Sequence, residues 1–317
     1  MRGIWLENQQ LAFRADLPPP APPAGEALVK VRLAGVCGTD LELQRGYYPY
    51  TGIPGHEFVG EVLAAEDANL IGQRVVGEIN AACGQCAACL RGHPTHCERR
   101  TVLGIRDRHG AFAEALSLPL KNLHPVPDAV PDEAAVFVEP LAAALQIQEL
   151  VTVRPASQVL LVGAGRLGQL IAQTLALTGC DVQVVARHIQ QRQLLAARGI
   201  RLLAEEAVPP RHFDLVVEAT GSPQGFELAR QAVRPRGTLA LKSTYHGRLS
   251  VDLSALVVDE ISVVGSRCGP FGAALRLLEQ KAVDPMGLIE AEYPLEEGVA
   301  AFAHAARPGA LKVLLRL

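Results

Sequence analysis

Long apolar runs are missing from this chain. No stretch approaches the roughly 20 residues that cross a bilayer as a helix. The most apolar one, residues 159–177, is broken by three glycines and Arg166. Charge of one sign is also lacking: 30 Lys and Arg stand against 33 Asp and Glu, for a net charge of -3 and a pI near 6.3. A basic face for nucleic acid or for anionic lipid is therefore not expected. The opening residues, MRGIWLENQQLAFRADLPPP, lack the charged-then-apolar pattern of a secretory signal, which points to the cytoplasm. Internal repeats and low-complexity tracts are absent. Aromatics make up only 4% of the residues.

Cysteine, by contrast, is concentrated. Four of the seven fall at Cys83, Cys86, Cys89 and Cys97, while Cys37, Cys180 and Cys268 stand apart. In a chain without a secretory pattern, the spacing C-x2-C-x2-C-x7-C favours a metal over disulfides. Four thiolates can close a tetrahedral shell around one Zn²⁺. Such a shell has no vacancy, so it points to structure rather than chemistry and directs the search to a second, open site.

The 317 residues fit two domains of ordinary size. Short apolar runs at 27–33, 58–64 and 74–77, broken by Gly and Pro, predict short strands. The proline cluster 18–23 predicts an extended surface connection. Past Pro155 the texture changes. Strands are expected at 159–162, 181–185, 214–218, 238–241 and 262–264, alternating with helical segments such as 169–178 and 190–198. This is the pattern of a parallel sheet with helices on both faces. A helix at 272–281 and a closing strand at 312–317 follow, the strand returning to the first domain.

Gly163-Ala-Gly165-Arg166-Leu167-Gly168 reads G-x-G-x-x-G between a strand and a helix, the context that gives this motif its meaning. Gly163 allows the tight turn, Gly165 lets the backbone approach a pyrophosphate, and Gly168 allows the helix to pack closely on the strand. The helix N-terminus offers free N–H groups to phosphate. An NAD site would place an acid at the end of the next strand. Here that place holds Ala186-Arg187-His188, with Arg192 a turn further on. Arg187, aided by His188 and Arg192, suits a 2′-phosphate, so NADP(H) is expected ahead of NAD(H).

Upstream and downstream of the cysteine cluster lie Cys37-Gly-Thr39-Asp40, Gly55-His56-Glu57 and Glu139-Pro-Leu141-Ala142. Cys37 and His56 offer a soft and a borderline donor, and Glu57 and Glu139 offer carboxylates. Together they meet the needs of a catalytic zinc with an exchangeable position.

The chain resembles the zinc-dependent medium-chain dehydrogenases, the alcohol, sorbitol and threonine dehydrogenases and their relatives, nearly end to end. The marks are CGTD at Cys37, GHEFVG at Gly55, the four cysteines, VEPLA at Val138, VGAGRLG at Val162, DLVVEATG at Asp214 and VGSR at Val264. The resemblance implies an α/β fold. A GroES-like catalytic domain of β-barrel character (1–140, completed by 269–317) would surround an inserted Rossmann domain with a doubly wound parallel sheet (141–268). It implies two zincs per chain, one structural and one catalytic. Cys37 and His56 become ligands, Glu57 sits beside the metal, and Glu139 matches the carboxylate of sorbitol dehydrogenases, directly or through a water. Thr220 and Ser266, within the later motifs, become cofactor residues together with Arg166 and Leu167 of the glycine turn.

The implied reaction is hydride transfer between a CH–OH group of an alcohol, polyol or sugar and the nicotinamide. Zinc acts as Lewis acid, and Thr39 is placed to take the alcohol proton. Many relatives have a His three residues after the Thr of CGTD. Here that place holds Glu42, expected either to end the proton relay or to be bypassed by water. Tyr47, Tyr48 and Tyr50 are candidates to line the substrate pocket, and His246 and Arg267 to approach the nicotinamide. The competing readings are an NAD-dependent amino-alcohol dehydrogenase of the threonine type and a non-catalytic nucleotide-binding protein. The family's habit implies a homodimer or homotetramer.

Overall fold

The computed structural model describes residues 1–244 and 248–317, and His246 lies outside the described residues. The chain divides into two compact units, Met1–Glu139 with Phe271–Leu317, and Pro140–Pro270.

The first unit is built on a seven-stranded sheet. Its order is Ile289–Pro294, Lys312–Arg316, Glu26–Gly35, Glu57–Ala64, Arg74–Gly77 and Leu123–Pro125, with Ala115–Pro119 also paired to Glu26–Gly35. The long strand Glu26–Gly35 alternates as a half-buried strand should. Ala27, Val29, Val31 and Leu33 are fully buried, while Lys30 and Arg32 face outward. The C-terminal strand runs antiparallel to it, Leu314 opposite Gly35, and the strand Glu57–Ala64 flanks its other side, Glu57 also opposite Gly35. Residues 312 and 57 are thereby brought to one place in the sheet. The proline-rich 18–23 connection carries no regular structure.

The second unit is a six-stranded parallel sheet. Its order is Arg201–Leu202, Asp181–Val185, Gln158–Val162, Phe213–Glu218, Val233–Leu241 and Ser262–Gly265. Numbered by sequence, that is 3-2-1-4-5-6, so the order reverses between the first and fourth strands and leaves a crevice at their carboxyl ends. The strands read as near-continuous apolar runs because both faces are covered: Val159, Leu160 and Leu161 are fully buried. The core joins Leu160, Val162, Phe213, Val216, Phe226 and Leu239.

The helix Val138–Leu150 went unread in the sequence. Pro140 falls in its first turn, where a missing N–H costs nothing, and Leu141, Ala142, Ala144 and Ile147 are fully buried.

Candidate metal centres and nucleotide cleft

The four cysteines converge. The Sγ atoms of Cys83, Cys86, Cys89 and Cys97 all lie within 4.8 Å of one another. Cys97 Sγ is 3.4 Å from Cys83 Sγ, and Cys86 Sγ is 3.5 Å from Cys89 Sγ. These separations are far beyond an S–S bond of about 2.05 Å, and they suit four sulfurs each about 2.3 Å from a shared zinc. The short helix Ala87–Leu90 and a turn at Pro94–His96 aim the last two thiols back at the first pair. Backbone N–H donors, that of Gln85 foremost, lower the Cys83 thiol to about 6. Burial pushes Cys89 up to about 11.

The second cluster is organised around Asp40. Cys37 precedes the helix Gly38–Gln44, and Asp40, in its first turn, is fully buried. Asp40 Oδ2 accepts the Cys37 N–H at 2.9 Å. Asp40 Oδ1 accepts the Gly55 N–H at 3.2 Å and lies 3.1 Å from His56 Nδ1. A carboxylate on Nδ1 fixes the ring and leaves Nε2 as the donor to a metal. Burial opposes a charge on His56, but Asp40 and Cys37 outweigh it and raise the imidazole well above its ordinary pKa. Gly55 is needed here. Its φ is +97°, and a Cβ would meet the Phe112 ring at 2.7 Å. Thr39 Oγ1 lies 3.9 Å from Cys37 Sγ.

Glu57 follows His56 into the next strand but is committed elsewhere. Its carboxylate pairs with Lys312 Nζ from the C-terminal strand, and both side chains are about fully buried. Gly35 makes room for the pair, since a Cβ there would sit 2.5 Å from Glu57 Oε2 and 3.3 Å from Lys312 Cδ. Lys312 Nζ also stands 5.5 Å from the centre of the Phe137 ring, within reach of a cation–π contact. Glu139 is half-buried in the first turn of Val138–Leu150. Among the described residues, no three of Cys37, His56, Glu57 and Glu139 bring ligand atoms within 4.8 Å of one another. The Cys37–His56 pair, with Asp40 behind it, is the part already arranged, and its donor chemistry fits zinc.

Glu42 pairs with Arg45 at 2.6 Å on its own helix. Tyr47 and Tyr48 are exposed. Tyr50 braces a turn, its hydroxyl donating to Ile53 O at 2.6 Å.

In the second unit a cleft of roughly 270 Å³ opens at the strand-order reversal, floored by Gly163, Ala164 and Gly165 and reached by Arg187, Thr220 and Glu205. Gly163 has φ +105°, and its Cβ would lie 2.9 Å from the Ala219 backbone. A Cβ on Gly168 would come 2.2 Å from Gly163 O, so helix and strand meet only without one. Thr220 is held by the buried Glu218, which accepts from its N–H at 2.6 Å and from its hydroxyl at 2.5 Å. Arg166 Nη1 is buried with no hydrogen-bond partner among the described residues, a cationic donor beside the turn that fits an anionic group. His188 lines the cleft, whereas Leu167, Arg192 and Ser266 do not. Ser266 and the exposed Arg267 are met instead by Lys242 Nζ, at 3.2 Å from Ser266 Oγ and 2.7 Å from Arg267 O.

Comparison with known proteins decides the family. The profile of the alcohol dehydrogenase GroES-like domain matches residues 23–128, and that of the zinc-binding dehydrogenases matches residues 167–280. D-arabinitol dehydrogenase 1 of Uromyces fabae is 31% identical over 92% of this chain and 90% of its own length. The chain belongs to the zinc-dependent medium-chain dehydrogenases. A protein of Sinorhizobium meliloti 1021 solved with NADP superposes with a TM-score of 0.90 at 26% identity, covering 100% of this chain and 99% of that one. A short chain alcohol dehydrogenase of Escherichia coli CFT073 solved with NADH gives 0.89 at 27%, with the same coverage.

This dehydrogenase is thus an oxidoreductase acting on CH–OH donors with zinc and a nicotinamide cofactor, and its first unit is GroES-like. Two residues of its first unit escaped a site reading of the sequence. Asp40 was visible in CGTD but had no assigned role. Lys312 was hidden, because nothing local marks a lysine in a C-terminal strand as buried. Among the described residues, no helix is long and apolar enough to cross a membrane.

Proposed function

We propose that this dehydrogenase interconverts a secondary alcohol, polyol or sugar-type CH–OH group and its carbonyl, using NADP(H) in preference to NAD(H), with two zincs per chain. The observation that carries the reading is the buried Asp40–His56 contact beside Cys37, which orients an imidazole next to a thiol in a unit that also gathers four cysteine sulfurs. Cys37 and His56 hold the catalytic zinc, and Glu139 completes the set directly or through a water. Cys83, Cys86, Cys89 and Cys97 hold the structural one. Zinc supplies Lewis acidity that lowers the pKa of the substrate hydroxyl, and the nicotinamide supplies the hydride acceptor. Thr39, near Cys37, takes the hydroxyl proton, and Glu42 passes it toward solvent. Glu57, compensated by Lys312, adds no net charge beside the metal.

The glycine turn and the first turn of Arg166–Ala176, with Leu167 in it, bind the pyrophosphate. Arg166 adds a cation there. Thr220 and Ser266 border the rest of the cofactor. Arg187, with His188 beside it in the cleft, meets the 2′-phosphate. The second reading, an NAD-dependent amino-alcohol dehydrogenase, has one observation in its favour: Arg187 is already paired with Glu205.

Metal analysis and a cofactor panel test the proposal together. Two zincs per chain are expected, with Cys37→Ser losing one and nearly all activity on a panel of polyols, sugar alcohols and L-threonine. A single zinc confined to the four cysteines, or NADH bound at least as tightly as NADPH, would refute the corresponding part.

We also propose self-association and cytoplasmic residence. The edge strand Ser262–Gly265 and the helix Leu253–Val258 leave Val263, Leu253, Val257 and Val258 exposed, and an uncovered apolar strand edge invites a second copy. Seven cysteines, none of them in a disulfide among the described residues, suit a reducing compartment. Light scattering of wild type against Val258→Asp reads the first.

A further inference from the structure

The second strand of the parallel sheet ends without an acid, yet the cleft contains one. After Arg187 the chain runs through the helix Ile189–Ala197 and the short strand Arg201–Leu202 into a turn at Glu205–Ala207. This path returns Glu205 to the side of Arg187. Arg187 Nε lies 3.1 Å from Glu205 Oε2, and Nη2 lies 3.2 Å from Oε1. Two parallel contacts make a fork-on-fork pair, the most directional form of this interaction. Both residues line the nucleotide cleft beside His188 and Gln191. Their side chains are 61% and 43% exposed, so a ligand can reach either one.

We propose that Glu205 is a specificity-determining residue that narrows the cofactor preference. It supplies from the third strand's turn the carboxylate missing at the end of the second, and it competes with a 2′-phosphate for Arg187. The proposal rests on the reading of Arg187 as the 2′-phosphate partner. The physical argument is a balance of small terms. An exposed ion pair is worth little, so the Arg187–Glu205 fork can open at low cost. A phosphate that displaces Glu205 from Arg187 nevertheless keeps that carboxylate as a neighbour in the same cleft, and like charges repel. A ribose hydroxyl is a neutral donor and meets the same carboxylate with a charge-assisted hydrogen bond. One side chain therefore weakens NADP(H) and strengthens NAD(H), and both cofactors remain usable.

The test is direct binding of NADPH and NADH, followed by cofactor fluorescence or calorimetry on the intact protein. Glu205→Gln keeps the shape and removes the charge. It is expected to tighten NADPH and weaken NADH by about threefold each, moving the ratio of dissociation constants by about tenfold, within the range of a single exposed charge. The shift should shrink as salt rises. Glu260→Gln, which removes a negative charge from the exposed Arg236–Glu260 pair on the same unit, neither member of which lines the cleft, should leave the ratio unchanged. A ratio within about twofold of wild type in Glu205→Gln overturns the role of Glu205. Arg187→Ala alone separates this from the underlying reading. If it weakens NADPH while Glu205→Gln does nothing, the NADP(H) assignment stands and the inference fails. If it leaves NADPH untouched, the assignment fails, and the inference falls with it.

Discussion

Two cysteine-containing clusters share one compact unit and are built in opposite ways. The lobe of Cys83, Cys86, Cys89 and Cys97 comes from one short loop, and its supports are two short helical turns and a backbone N–H donated by Cys83 to Cys97 Sγ. The cluster at Cys37 and His56 is drawn from distant parts of the chain. Asp40 reaches across 16 positions to His56, and Lys312 reaches across 255 to Glu57. In the lobe every donor is the same and every donor points at one centre. In the other cluster the charges are mostly spent on each other: Asp40 on two N–H groups and an imidazole, Glu57 on Lys312. What remains to face a metal is the Cys37 thiol, 3.9 Å from Thr39 Oγ1, and one ring nitrogen of His56. A closed site can be local because it asks only for four ligands, whereas an open one must leave a vacancy without leaving unpaired charge in a dry interior.

This contrast can be broken experimentally. The largest effect is expected from Cys97→Ala. Structural zinc sites carry on the order of 10 kcal/mol of binding energy, so zinc content should fall by one per chain and proteolysis should open the 83–97 loop. A larger loss of zinc than this one equivalent would show that the two clusters are not independent. Next comes Lys312→Met, which strands the buried Glu57 carboxylate and should cost about 3–5 kcal/mol in a denaturation experiment. Adding Glu57→Gln should recover most of that loss, and a purely additive double mutant would mean that the two residues are not coupled. Asp40→Asn should weaken the zinc at Cys37 and His56 by about 10–100-fold. A chelator titration with two resolved steps reads this, and only the weaker step should move. The smallest effect belongs to Glu42→Gln, within about 0.5 kcal/mol in stability. Its informative readout is the pH–rate profile, since an unchanged profile removes Glu42 from the proton path.

Much of the architecture was readable because its signals are local. The strand expected at 181–185 and the one expected at 74–77 coincide with Asp181–Val185 and Arg74–Gly77. The glycine turn announces its own strand and helix. The helix Val138–Leu150 was harder. It is apolar nearly all round, so it carries no amphipathic period to recognise. The site was legible where ligand types and spacing suffice, as in the four cysteines and in the Cys37 and His56 motifs. It was not legible where partners are remote. No spacing rule links Glu57 to Lys312, and none predicts that Arg187 pairs with Glu205, because the short strand Arg201–Leu202 that delivers Glu205 is too brief to read. Tyr50 shows the same limit: its place among three tyrosines suggested a pocket wall, while its hydroxyl closes a turn.

By itself, then, the sequence determined the family, the order of the two units along the chain, the cysteine cluster and the phosphate turn. Each of these depends on residues close together, where covalent connection already limits the geometry. Only the tertiary structure decided how the charges pair. Asp40 with His56, Lys312 with Glu57, and Glu205 with Arg187 are contacts made by strand register and loop return. Their worth depends on burial, which no residue carries in its own chemistry.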